Sequence, residues 1–181
     1  MRIGDHFIQY WRMQVAARWI PHGSRVLDIG CHQGEFLKML GQKIAPSVGL
    51  DPLYQENGST RGHQFVSKEF HGGLPFEEAS FDAIVLLATI EHMHEKSAIA
   101  REARRLLAKG GRVVITVPSP LVDKILSILL FLRVVDGMSL EEHHGFSPDD
   151  LPDIFVSEGF RLQRKQKFQF GLNNLYVFER V

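Results

Sequence analysis

Seven consecutive residues, Asp28-Ile29-Gly30-Cys31-His32-Gln33-Gly34, carry the clearest chemical signal in the chain. A short apolar run through Val26 and Leu27 leads into them, so they read as a turn at the carboxyl end of a strand. Gly30 and Gly34 give that turn the freedom to reverse tightly and let a ligand approach the main chain. A helix starting near Gly34 would offer free N–H groups and a positive dipole end at the same place. The spacing is not the G-x-G-x-x-G dinucleotide pattern, because Asp28 holds the first glycine position and Gln33 the third. A carboxylate there repels a pyrophosphate and pairs with an ammonium. The turn therefore favours a zwitterionic or cationic ligand over NAD or FAD.

The surrounding pattern supplies elements to position such a turn. Apolar residues at mostly helical spacing predict a helix over 5–20, with Asp5 as its N-cap and Pro21-His22-Gly23 as its stop. Buried strands are expected at 25–30, 48–50, 81–87 and 112–117, and a weaker one at 63–67. Helices are expected at 34–43, at 96–108 with Lys109-Gly110-Gly111 as a glycine C-cap, and at 148–158 after a Ser147 N-cap. Residues 160–170 and 173–180 read as two strands around a turn containing Gly171, an antiparallel hairpin. Strands alternating with helices imply a parallel sheet covered on both faces, and the closing hairpin makes it mixed. The chain of 181 residues suits a single domain.

The ordered motifs resemble class I S-adenosylmethionine-dependent methyltransferases, in particular their small-molecule, type 11-like branch. The resemblance rests on Asp28-x-Gly30-Cys31-x-x-Gly34, Gly49-Leu50-Asp51, Leu74-Pro75-Phe76 with Ser80-Phe81-Asp82, Ile90-Glu91-His92, Leu106-Leu107-x-x-Gly110-Gly111, and His144-Gly145-Phe146-Ser147 with Leu151 and Gly159-Phe160. It spans residues 25 to 160. It implies an α/β, Rossmann-like, doubly wound seven-stranded mixed sheet with a C-terminal antiparallel hairpin. Residues 1–181 form one methyltransferase domain on this reading, with an N-terminal helix within 1–22 and a substrate-side insertion or lid at 119–147. The implied cofactor is S-adenosylmethionine. Gly30 and Cys31 would lie along its methionine part, beside Gly34, with Asp28 near the amino group. Asp51 would accept the ribose hydroxyls, Pro52 and Leu53 would cover the adenine, and Glu69 would receive its amino group with Phe70 on the ring. His32 stands where this turn commonly has a middle glycine.

Methyl transfer asks the protein mainly to align nucleophile, methyl and sulfur and to exclude water. An oxygen or nitrogen acceptor also needs a base, for which histidine titrates in a suitable range. The candidates are His92 and His94 after the fourth strand and His143 and His144 in the loop after an apolar stretch; His144, with His143 beside it, is the preferred catalytic pair. The stretch 121–135 is too short and too charged for a membrane span and can act as a pocket wall, a cover for an apolar or lipid-like substrate, or a homodimer contact. A zinc site from Glu91, His92, His94 and His143 lacks the usual helical spacing, and no metal is expected.

Lys+Arg and Asp+Glu both number 21, a balance that disfavours a dedicated nucleic-acid binder. A single cysteine, Cys31, excludes an intrachain disulfide. No signal peptide is evident, so a cytoplasmic enzyme acting on a small molecule is expected. A cofactor-binding partner subunit without catalysis is the alternative; a nicotinamide oxidoreductase is disfavoured by Asp28.

Overall fold

Alternation along the strands divides the core into two layers. Val26, Ala83, Val85, Val114 and Val177 face one side of a sheet, and Leu27, Ile29, Ile84, Leu86, Val113, Ile115 and Phe178 face the other. Strands apolar on both faces must be covered on both, and helices do so here. The computed structural model describes residues 3–56, 60–70, 72–119 and 147–181. Along the chain these form α1 (Ile3–Ala17), β1 (Val26–Ile29), α2 (Glu35–Leu40), β2 (Val48–Leu50), β3 (Gln64–Val66), β4 (Phe81–Leu87), α3 (Lys96–Leu106), β5 (Leu107–Pro118), α4 (Leu151–Ser157), β6 (Phe160–Phe168) and β7 (Asn173–Arg180).

The sheet is seven-stranded in the order β3-β2-β1-β4-β5-β7-β6. The first five strands pair in parallel, β7 runs antiparallel to β5, and β6 pairs antiparallel with β7. This is the mixed α/β sheet with a closing hairpin that the sequence pattern implies. One layer packs Met13, Val15 and Ala16 of α1 and Phe36, Leu37 and Leu40 of α2 against the sheet. The other packs Ile99, Ala103 and Leu106 of α3 with Leu151 and Phe155 of α4. Phe155 is fully buried and stacks on Phe178 at 4.6 Å between ring centroids.

Three local expectations are corrected. Asp5 does not cap α1, because the helix already runs from Ile3. α2 stops at Leu40 and tightens into a 3-10 turn over Gly41–Lys43 rather than continuing as one helix. The glycine pair after α3 is not a C-cap: the helix ends at Leu106, and Leu107 is already extended at φ −77° and ψ 142°. β5 pairs Leu107 with Phe81, then jumps so that Arg112 pairs with Ala83. Gly110 at φ +76° turns the intervening residues, and a Cβ at Gly111 would stand 2.8 Å from the Ala108 carbonyl oxygen and 3.1 Å from that of Asp82. The glycines serve an irregularity in the strand. Ser147, by contrast, caps as expected, its hydroxyl accepting the Asp149 N–H, although the first turn it starts is 3-10.

Candidate functional site

Main-chain hydrogen bonds tie the carboxyl ends of the first three strands into one rim. The Gly30 and Cys31 N–H groups both donate to the Leu50 carbonyl, at 2.8 and 3.1 Å, and the Asp51 N–H donates to that of Val66 at 3.2 Å. A cavity of about 890 Å³ opens at this rim. Asp28, Gly30, Cys31, Asp51, Pro52, Leu53, Glu69 and Phe70, all singled out from the sequence, line it together. Such convergence at the strand ends of an open α/β sheet is where ligands of this architecture bind.

Asp28 shares the sheet face of Val26, two residues before it, and so lies on the side of α1 and α2. It is 1% exposed, and its Oδ2 has no hydrogen-bond partner. Burial, with the nearby charges of Glu35 and Asp51, pushes its carboxyl up to about 8. A carboxylate in that position strongly favours an incoming cation or hydrogen-bond donor. Asp51 is placed differently. Its Oδ2 accepts the His32 N–H and its Oδ1 the Leu53 N–H, both at 2.8 Å, so it braces the glycine turn against its own loop. Each of its oxygens retains a second acceptor site for a ligand hydroxyl.

Gly30 adopts φ +77°, and a Cβ there would stand 2.3 Å from Thr89 Oγ1. Its bareness therefore admits the loop after β4, which brings Ala88 and Thr89 into the cavity wall. Gly34 is not part of that wall. At φ +78° it gives way to the Phe65 ring of β3, whose Cε1 would lie 2.3 Å from a Cβ, so its role is packing. Nor does the start of α2 present an anion site. The helix has six residues, and Glu35 already sits over its start, with Oε2 accepting the Gln33 N–H at 3.1 Å and Oε1 2.9 Å from His32 Nδ1. His32 takes the left-handed φ of +50° that explains a glycine preference at this position. Burial and then the charges of Asp28 and Asp51 push the Cys31 thiol far up, which keeps it protonated and unreactive.

Other wall residues escaped the sequence reading. Ile8, Gln9, Arg12 and Met13 bring α1 to the cavity, and Leu87, Met93, Ala98 and Ile99 give it an apolar flank. The available signal for Arg12 was a charge on the same helical stripe as Ile8 and Val15. His92 and His94 line the wall. His143, His144 and the apolar stretch 121–135 lie outside the described residues. Among the described residues no cluster of His, Cys, Asp and Glu is arranged to hold a metal, and no helix is long and apolar enough to cross a membrane.

A family model described as "Methyltransferase domain" matches residues 4–165. A demethylmenaquinone methyltransferase of Thermotoga maritima is 25% identical over 92% of this chain and 83% of its own length. A probable tRNA methyltransferase 9B of Mus musculus is 37% identical, over 52% of this chain and 22% of its own length. Several other curated relatives are matched over less than half their length. Among solved structures, an S-adenosylmethionine-dependent methyltransferase of Thermotoga maritima superposes with a TM-score of 0.70 at 17% identity, covering 97% of this chain and 90% of that one.

Proposed function

The chain belongs to the methyltransferase-domain family and is an S-adenosylmethionine-dependent methyltransferase, and from that premise we propose that its acceptor is a small molecule. The observation that carries this reading is the cavity. Its volume of about 890 Å³ lies near the top of the range for small-ligand pockets, ~300–1,000 Å³. That leaves room for an acceptor beside the cofactor, against Leu87, Met93, Ala98 and Ile99. The name of the quinone-type relative supports an apolar acceptor. Equal numbers of acidic and basic side chains offer no excess of cations for a polyphosphate backbone.

The residues present fit the cofactor. Asp28 has an unfilled acceptor for an ammonium, and Gly30 lets the loops after β1 and β4 meet closely. Asp51 would take ribose hydroxyls, Pro52 and Leu53 would cover one face of the adenine, and Glu69 with Phe70 would close the other side. Bound there, S-adenosylmethionine supplies an electrophilic methyl group on sulfur. The protein's part is to orient that group toward the apolar flank and keep water away. Of the described histidines on the wall, His32 contacts Glu35, and His92 and His94 stand in the loop after β4 as candidates to take an acceptor's proton; the assignment of that task to His144, with His143, rests on the sequence.

Incubation of the protein with methyl-labelled cofactor and a fractionated cell extract tests the reading. Label in the low-molecular-weight fraction is expected, and an Asp28→Asn variant should lose it. Label confined to RNA would replace the small-molecule acceptor with a nucleic acid. Tight S-adenosylhomocysteine binding with no transfer to any fraction would make the chain a binding partner rather than a catalyst.

A further inference from the structure

The large aromatic side chains that stand exposed among the described residues gather in one place. Phe7 is 64% exposed, Tyr10 53% and Phe170 92%. Trp11 joins them, its ring edge-on to Phe7 and to Phe170 with 5.9 Å between centroids in both pairs. Phe170 lies in the turn between β6 and β7 at φ +57°, directly after Gln169 at φ +51°. A bulky side chain in the left-handed region is strained, and this one gains almost no burial in return. The turn is nevertheless clamped to α1. Gln169 Nε2 donates to the Ile8 carbonyl at 2.7 Å, and Asn173 Nδ2 donates to Gln169 Oε1 at 2.5 Å. The clamp holds an aromatic ring outward beside Trp11.

The two segments that build this patch carry charge of one sign. Past Asp5, in the first turns of α1, there is no Asp or Glu up to residue 27, and none again from 160 to 178, although the chain as a whole is neutral. Arg18, at the end of α1, is exposed and continues the helical stripe of Phe7, Trp11 and Gln14. Arg164 of β6 is also exposed. It lies on the α1 side of the sheet, because it pairs with Val177, whose side chain packs in that layer. Ile8, Gln9, Arg12 and Met13 line the cavity, so α1 carries the aromatic stripe and the cavity wall side by side.

Area and charge together select the occupant. Aromatic rings bury about 150–250 Å² each, which makes the patch on the order of 400 Å². A stable dimer takes about 800 Å² from each partner. A shallow lipid contact needs only a few rings at headgroup level, with cations beside them to meet anionic headgroups. We propose that Phe7, Tyr10, Trp11 and Phe170 enter the headgroup layer of an anionic lipid surface, with Arg18 and Arg164 toward the lipid phosphates. The cavity then opens beside the layer from which an apolar acceptor is drawn. The docking stands on the patch itself; the purpose given to it rests on the small-molecule acceptor proposed above.

Co-sedimentation with vesicles of phosphatidylcholine, with and without phosphatidylglycerol, forms the experiment. Wild type should bind the anionic vesicles about tenfold more tightly than the neutral ones. In Trp19→Phe, which leaves Trp11 as the single tryptophan, emission should shift to the blue on binding. Phe170→Asn keeps the left-handed turn, which asparagine tolerates. It and Phe7→Ser should each weaken vesicle binding about tenfold, while S-adenosylhomocysteine affinity, measured by calorimetry, stays at the wild-type value and shows the domain intact. Unchanged vesicle binding by the double variant would overturn the proposal. So would wild type that binds neither vesicle: a dimer that the double variant dissociates would then make a second copy the occupant, and a monomer would assign the patch to the chain's own contacts. Vesicle binding with methyl label found only in RNA would keep the docking and remove the acceptor reading. A labelled small molecule without vesicle binding would do the reverse.

Discussion

Two buried acids on opposite sides of the sheet differ in what surrounds them. Glu102 of α3 is 9% exposed and fully engaged. Its Oε1 accepts the Leu74 N–H at 2.8 Å and Arg105 Nη2 at 2.6 Å, and its Oε2 accepts Arg105 Nε at 3.0 Å. Arg105 continues to the carbonyls of Phe76 and Leu74, so the pair fastens the loop before β4 to the helix. The Arg105 hydrogen bonds hold the Glu102 carboxyl below its usual range despite burial. Asp28 has no such neighbours, and its carboxyl is pushed up. Burial alone therefore does not mark function. An acid whose partners come from its own chain fastens the fold, whereas one left short of partners at a cavity is a candidate to receive a ligand.

The most severe test of that contrast leaves both acids in place and forces apart the loops after β1 and β4. Gly30→Val puts a branched side chain into Thr89 at a left-handed backbone position. It should abolish S-adenosylhomocysteine binding in calorimetry; near-normal affinity would move the ligand elsewhere. Next, Glu102→Ala should cost about 1.5–3 kcal/mol in urea unfolding, the scale for hydrogen bonds to a charged group, while the folded variant keeps its cofactor affinity. Asp28→Asn should do the opposite. Its affinity for S-adenosylhomocysteine should fall by a similar 1.5–3 kcal/mol, and its unfolding free energy at pH 8–9 should rise by about 0.5–2 kcal/mol. A variant that is both weaker-binding and less stable would make Asp28 a structural residue like Glu102.

The pH dependence sharpens the same contrast, with opposite signs. Glu102 has a depressed folded pKa, so its contribution is present above the unfolded carboxylate value and is lost as pH falls through the folded one. Asp28, raised to about 8, binds more protons folded than unfolded between roughly pH 4 and 8. Its contribution should fall as pH rises through that window and level off above it. Thermal melts of the ligand-free protein and of Asp28→Asn should diverge from pH 5 to 8; parallel curves would mean that Asp28 ionises normally. The smallest effect is expected at His32→Gly, where relief of a left-handed φ is offset by the lost contact to Glu35. A stability change within about 1 kcal/mol is predicted, and a loss of binding would make His32 more than a turn residue.

Local patterns in the sequence were good guides wherever one periodicity or one ordered motif decided the outcome. The apolar runs at Val26, Phe81 and Val113 could only be buried strands, and the hairpin around Gly171 follows from its flanking alternation. Asp28, Gly30, Cys31, Asp51, Pro52, Leu53, Glu69 and Phe70 were legible as wall residues because they lie at consecutive strand ends, whereas Glu35, Phe36 and Lys68 beside them were not singled out. Glycine was where sequence reasoning misjudged roles. Gly34 and Gly111 looked like ligand and capping glycines, yet each makes way for distant protein atoms, the Phe65 ring and the Asp82 carbonyl. No local window contains those contacts. Arg12 was missed for a similar reason: a cation in an amphipathic helix reads as solvated until the helix is seen to cross a cavity.

β7, the last strand in the sequence, lies inside the sheet between β5 and β6, and Leu175, Tyr176, Val177 and Phe178 are fully buried there. All the residues up to 180 are therefore needed before either core layer can close. Without β7 the edge of β5 lacks its antiparallel partner, and β6 has no strand to pair with. The strand that finally becomes the outer edge, β6, carries Arg161, Arg164, Lys165 and Lys167, charges that discourage a second chain from pairing there. Order in the sequence and order in the sheet are thus reversed at this end, whereas the residues that line the cavity, 8 to 99, all precede both strands.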